Sequence, residues 1–190
     1  MIQITLKLFE KLAKKQEELD SNIRKQHNIS ADEWLEDLQQ NHVLALKNEI
    51  AEFQNECFDQ WKYWKTKSVE PRKIIAEGVD IIHFLHLIIN KHSAGKETLV
   101  TYINKRIETN MPLVRTKEEY WDKDKKKSVK IKDLRYIMNK MYQLKTLEDY
   151  LECYAILLII LDYYAFSLEE IEAAYDIKNK ENHDRQQQGY

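Results

Sequence analysis

Apolar residues recur along almost the whole chain at intervals of three and four, the spacing of one helical face, so the elements they predict are helices. One is expected over about residues 3 to 25 and a short one near Ala31 to Gln39. Val43, Leu46, Ile50, Phe53, Cys57, Trp61 and Trp64 then fall into a single stripe, which predicts a helix laid on a core and running on through the tryptophans. From Ile74 to Ile89 the chain is apolar almost all the way round, and so is Tyr154 to Phe166; both segments are expected to be buried. Further helices are expected near Glu97 to Thr109, Lys132 to Met141, Thr146 to Phe166 and Ser167 to Asn179, the last opened by Ser167-Leu-Glu-Glu170 at capping-box spacing. Between Thr109 and Lys132 the periodicity is lost. Met111-Pro112 and the run DKDKKK, Asp122 to Lys127, predict a solvated loop or small mobile lobe there.

Carboxylates interrupt this pattern in a regular way. Glu49, Glu52 and Glu56 form a stripe at the border of the apolar face, with side chains brought together by i, i+3 and i, i+4 spacing. Two such charges about 5 Å apart repel by roughly 3 kcal/mol at an effective dielectric near 20. Full solvation or a cation must offset that cost. Asp80 stands in the middle of the buried segment with Glu77 one turn earlier, and a carboxylate is rarely buried without a partner. A solvated face for the glutamates and a salt bridge for Asp80 are the plain alternatives. If the two segments pack on each other, however, Glu49, Glu52, Glu77 and Asp80 converge into an oxygen-rich pocket suited to magnesium.

Glu49-x-x-Glu52 followed by Glu77-x-x-Asp80 resembles the E-x-x-E…E-x-x-D signature of the all-α nucleoside triphosphate pyrophosphatases. Four boxes resemble those of the dimeric dUTPases within that superfamily, of phage or bacterial type: Gln16-Glu-Glu-Leu19-Asp20, WKYWK at Trp61 to Lys65, Asp80-Ile-Ile-His83-Phe84-Leu85, and KNKENHDRQQQGY from Lys178 to Tyr190. The boxes stand in the family's order from residue 16 to 190. Ala76 replaces a glutamate the family often has, Trp61 stands where Phe is usual, and Lys65 replaces Ser; all four carboxylates remain.

The resemblance implies a dimeric helical bundle that splits dUTP, and also dUDP, with water attacking the β-phosphorus. Two or three magnesium ions on Glu49, Glu52, Glu77 and Asp80 would bridge phosphate oxygens, and Glu49 or Glu52 would take the proton of the water. Lys62, Lys178 and Arg185, assisted by Asn182, would contact phosphates, with Tyr190 closing the tail's box. Gln16 and Asp20 would lie at the uracil, Trp64 and Phe84 against base and sugar, and His83 at a sugar hydroxyl. Glu56 is either a further ligand, a support or a solvated residue. His83 and His86 have a zinc-like spacing, but the oxygen ligands around them argue against zinc. On composition alone the tail from Lys178 would be unstructured, so ordering over substrate is expected.

Composition points the same way. At 190 residues with three glycines and two prolines, one all-α domain over residues 1–190 is the simplest expectation. A net charge of −2 gives no ground for nucleic-acid binding, and the apolar runs are too short for a membrane span. Cys57 and Cys153 both lie in helical apolar patterns, which fits a reducing cytoplasm rather than a disulfide framework. Two other functions stay open: a MazG-like pyrophosphatase acting on another nucleotide, and a regulatory protein that binds a pathogenicity-island repressor through the charged segment 109–132.

Overall fold

Thr5 opens the first helix, its hydroxyl accepting from Leu8 N–H, and Asn28 closes it in the left-handed conformation at φ 54°. In the computed structural model, which describes residues 2–122 and 127–189, this helix α1 spans Leu6–His27. The short helix expected near Ala31 to Gln39 is present over residues 31–37, with π-helical geometry at Glu33–Asp37 that buries Trp34 against His42. Helices α2 (Gln39–Glu56), α3 (Pro71–Ile89) and α4 (Lys96–Asn110) follow, then α5 (Arg135–Lys140), α6 (Leu147–Tyr163) and α7 (Leu168–Gln187). Thr146 and Ser167 each start their helix through a complete capping box, with Asp149 and Glu170 as the reciprocal residues. No single helix among the described residues is long and apolar enough to cross a membrane.

The two segments read as apolar all round are the centre of the molecule. On α3, Ile81, Ile82, Leu85 and Ile88 are fully buried, as are Ile156, Leu157, Ile160 and Leu161 on α6. The other helices close around this pair, with α2, α1 and α7 packed on α3 and α4 on α6. Asp162, the one charge in the apolar run, accepts from Ile2 N–H at 3.1 Å. Both cysteines are free and buried.

Gly78 lets α3 pack close to Leu161 and Phe53. A Cβ there would lie 3.2 Å from Leu161 Cδ2 and 3.4 Å from Phe53 Cε2. Gly78→Ala is expected to be near neutral, its helix-propensity gain of about 1 kcal/mol offsetting a small adjustment of Leu161. Gly78→Val has no such room and is expected to cost roughly 1–3 kcal/mol by overpacking. Thermal melts of the two variants check this.

Three expectations are corrected. The stripe from Val43 does not continue as helix to Trp64: α2 stops at Glu56, and Phe58–Gln60 form a 3-10 turn. Side chains cause the turn, since Asp59 accepts from Tyr164 OH at 2.6 Å and Gln60 reaches Tyr163 OH and Leu134 N–H, drawing the chain across the end of α6. Trp61 and Trp64 therefore emerge 40% and 62% exposed. Second, the segment read as an irregular lobe carries an antiparallel hairpin, β1 (Arg115–Asp122) with β2 (Lys127–Asp133), running from Arg115 opposite Asp133 to Asp122 opposite Lys127 with a register shift between Thr116 and Glu118. Most of the DKDKKK run, residues 123–126, lies outside the described residues. Third, α7 does not end at Asn179 but carries the tail on as helix to Gln187.

Candidate active site

Four helices meet along a cleft of about 510 Å³. From α1 come Gln16, Leu19, Asp20 and Ile23, from α2 Glu49 and Glu52, from α3 Glu77, Asp80, His83, Phe84 and Leu87, and from α7 Lys178, Asn182, Arg185 and Gln186. Each set follows helical spacing, so the cleft is written on four faces rather than on loops.

Ligand oxygens of Glu49, Glu52 and Glu77 all lie within 4.8 Å of one another. Burial, together with the charges of Asp80, Glu52 and Glu77, raises the Glu49 carboxyl to about 7. Glu77 is also raised, first by burial and then by Asp80. Mutual repulsion of this kind is relieved by a cation, and the all-oxygen donor set suits a hard divalent ion. The fourth carboxylate is placed differently. Asp80 Oδ2 is paired with Lys178 Nζ at 2.7 Å, so the salt bridge considered from sequence is present beside the carboxylate cluster. Burial raises Asp80 while Lys178 opposes the rise. Glu56, last residue of α2, is not among the residues lining the cleft, though its charge contributes to raising Glu77.

Elsewhere along the cleft Gln16 links several polar groups into one chain. Gln16 Nε2 donates to Asp20 Oδ1 at 2.7 Å, while Gln16 Oε1 faces His83 Nδ1 at 2.7 Å and Tyr175 OH at 3.3 Å. His83 stacks on the Tyr175 ring at 3.9 Å. Burial lowers His83 to about 3, so the imidazole is neutral. His86 belongs elsewhere, fully buried against Phe9 and Tyr154, with Nε2 at 3.3 Å from Tyr154 OH.

Of the residues singled out from sequence, the structure brings Gln16, Asp20, Glu49, Glu52, Glu77, Asp80, His83, Phe84, Lys178, Asn182 and Arg185 to this cleft. It does not bring Lys62 or Trp64. Lys62 Nζ donates to Asn55 Oδ1 and lies 4.6 Å over the Trp61 ring, while Trp64 packs edge-on to Trp61 and Tyr63. Tyr190 lies outside the described residues. Tyr175 and Gln186 were missed. Continuing α7 through the tail finds Gln186, four residues after Asn182, and the same spacing of three and four runs back from Arg185, Asn182 and Lys178 to Tyr175.

Comparison with known proteins agrees with this arrangement. A family model described as dUTPase matches residues 8–190. No curated protein matches the chain. Since the matched span takes in every helix that builds the cleft, from α1 to α7, the chain belongs to the all-α, dimeric-class dUTPase family and is a dUTP diphosphatase.

Proposed function

We propose that the chain hydrolyses dUTP to dUMP and pyrophosphate, and dUDP to dUMP and phosphate, with magnesium held by Glu49, Glu52, Glu77 and Asp80. The observation that carries this reading is the trio of carboxylates within 4.8 Å of one another in a cleft that Lys178 and Arg185 also line. Divalent ions bound there would neutralise phosphate charge and lower the pKa of the attacking water. Glu49 takes the proton of that water on a carboxylate oxygen. It is half-buried among the other carboxylates, whereas Glu52 is exposed. Lys178 moves from Asp80 to the phosphates, where Arg185 and Asn182 join it. The base lies at Gln16, Asp20 and His83, with Phe84 as the apolar wall.

The chain works as a homodimer of cytoplasmic type. Trp61, Tyr63 and Trp64 form an exposed aromatic cluster, with Tyr63 94% exposed, beside Lys62. A second copy covering this surface accounts both for that exposure and for the distance of Lys62 and Trp64 from their own cleft. A MazG-like enzyme for another nucleotide would need the same carboxylates but not the Gln16 and C-terminal boxes, and both boxes contribute to the cleft.

Product analysis over a panel of deoxynucleoside triphosphates, with and without magnesium, tests the reading. Selective, magnesium-dependent release of dUMP and pyrophosphate is the expected result. Equal cleavage of the other nucleotides would overturn it.

A further inference from the structure

Asp20 is buried to 1% exposure, and its only hydrogen-bond partner among the described residues is the neutral Gln16 amide at Oδ1. The cations nearby are committed elsewhere. Arg24 Nη2 holds Glu17 at 2.6 Å, and Lys91 Nζ donates to Trp34 O at 2.7 Å and Gln39 Oε1 at 3.0 Å and meets His42 Nδ1 at 2.7 Å. Glu17 adds a like charge on the same helix, and the neutral His83 of α3 and Tyr175 of α7 both meet the Gln16 amide that holds Asp20. A buried carboxyl with one neutral donor and no cation in contact holds its proton to higher pH, although the charges of Arg24 and Lys91 oppose the rise. Burial accordingly raises Asp20 to about 7.

The proton's position follows from the Gln16 amide. Because Nε2 faces Asp20 Oδ1, that oxygen accepts and the acid proton belongs on Oδ2. The same amide orientation makes Gln16 Oε1 the acceptor for His83, which places the imidazole proton on Nδ1 and leaves a lone pair on Nε2. Asp20 Oδ2 and His83 Nε2 are both buried and both without a hydrogen-bond partner among the described residues, and both residues line the cleft. Its wall thus offers one unused donor and one unused acceptor. Uracil presents a ring carbonyl beside an imide N–H, which matches that pair; cytosine presents an amine beside a bare ring nitrogen, which reverses it.

We propose that Asp20 is a specificity-determining residue that reads the base as a neutral carboxylic acid, Oδ2–H donating to a uracil carbonyl while His83 Nε2 accepts the adjacent N–H. This rests on the reading that the base lies at this part of the cleft. Ionisation removes the donor and sets a negative charge against a carbonyl oxygen. Binding of dUTP therefore weakens as pH rises, and discrimination against dCTP weakens with it.

The test compares wild type with Asp20→Asn, which keeps an N–H donor and cannot ionise, at saturating magnesium from about pH 6 to about pH 9. In the wild type KM for dUTP is expected to rise about tenfold per pH unit above neutrality, with no such rise in the variant, while the kcat profiles keep the same shape. Effects of nucleotide and metal-site titration are common to both proteins and cancel. Infrared difference spectra of the two proteins alone should show an acid carbonyl band for Asp20 at the low end of the range. Superimposable KM profiles, or an ionised Asp20 throughout, would overturn the proposal. Indifference of the wild type to the base would instead sink the reading it rests on, and the carbonyl band, recorded without nucleotide, keeps the two failures apart.

Discussion

Glu49→Gln is expected to hydrolyse dUTP at least a thousandfold more slowly than the wild type while melting no earlier. The loss combines two roles. General-base catalysis alone contributes about 10²–10⁴, and an amide is a weaker ligand for a hard cation. The stability arm follows from the sign of the shift. An acid raised from its ordinary value of 4.5 to about 7 in the fold destabilises the native state, increasingly as pH rises through that window. Removing the charge removes the penalty, so at neutral pH without metal the variant melts at or above the wild type. Acidifying towards about pH 4.5 should close the gap between them. Pyrophosphate release and metal-free melts at two pH values are the measurements. A variant that loses activity only because it melts would show Glu49 to be structural.

Glu152→Ala is expected to do the opposite, lowering stability by roughly 3–5 kcal/mol while leaving kcat unchanged below the melting transition. Glu152 on α6 receives both Arg106 Nε and Arg106 Nη2, the latter at 2.9 Å, together with Lys140 Nζ at 2.5 Å and Asn110 Nδ2 at 3.0 Å. Burial pushes its carboxyl up, but these donors outweigh burial and hold it at about 2. Truncation leaves two cations on α4 and α5 without their common anion. At about 2–4 °C per kcal/mol for a chain of this size, a fall of about 10 °C is expected. The wild-type advantage is complete above the unfolded glutamate value of 4.5 and disappears as pH falls towards about 2, so urea titrations at pH 7 and near pH 4 should show the gap narrowing. An unchanged midpoint at neutral pH would mean that solvent screens the network.

These effects trace back to features that differ in how far the amino-acid sequence reveals them. Burial of α3 and α6 is legible because a segment apolar on every side has no solvated solution, and Glu77 and Asp80 within such a segment announce a partner. The end of α2 is not legible. Its stripe of apolar residues is helical through Trp64, and only long-range bonds from Asp59 to Tyr164 and from Gln60 to Leu134 turn the chain aside. Likewise the hairpin: Val129 and Ile131 alternate with Ser128, Lys130 and Lys132, but the stretch from Lys123 to Lys126 has no Gly or Asn-Gly to mark a turn. The helical tail is the hardest case. It has almost no apolar residue to dock, and its anchors are polar, through Lys178 to Asp80 and from Gln26 Nε2 to the Gln186 carbonyl.

That tail gives α7 a property of phase. Tyr175, Lys178, Asn182 and Arg185 lie on a helix that turns 100° per residue, so one residue inserted after Lys178 would swing Asn182 and Arg185 away from the cleft, whereas seven would return them to the same face two turns farther on. A coiled tail would absorb a change of length almost anywhere. A helical one counts residues, and the spacing of its clamp can drift over evolutionary time only in steps of whole turns.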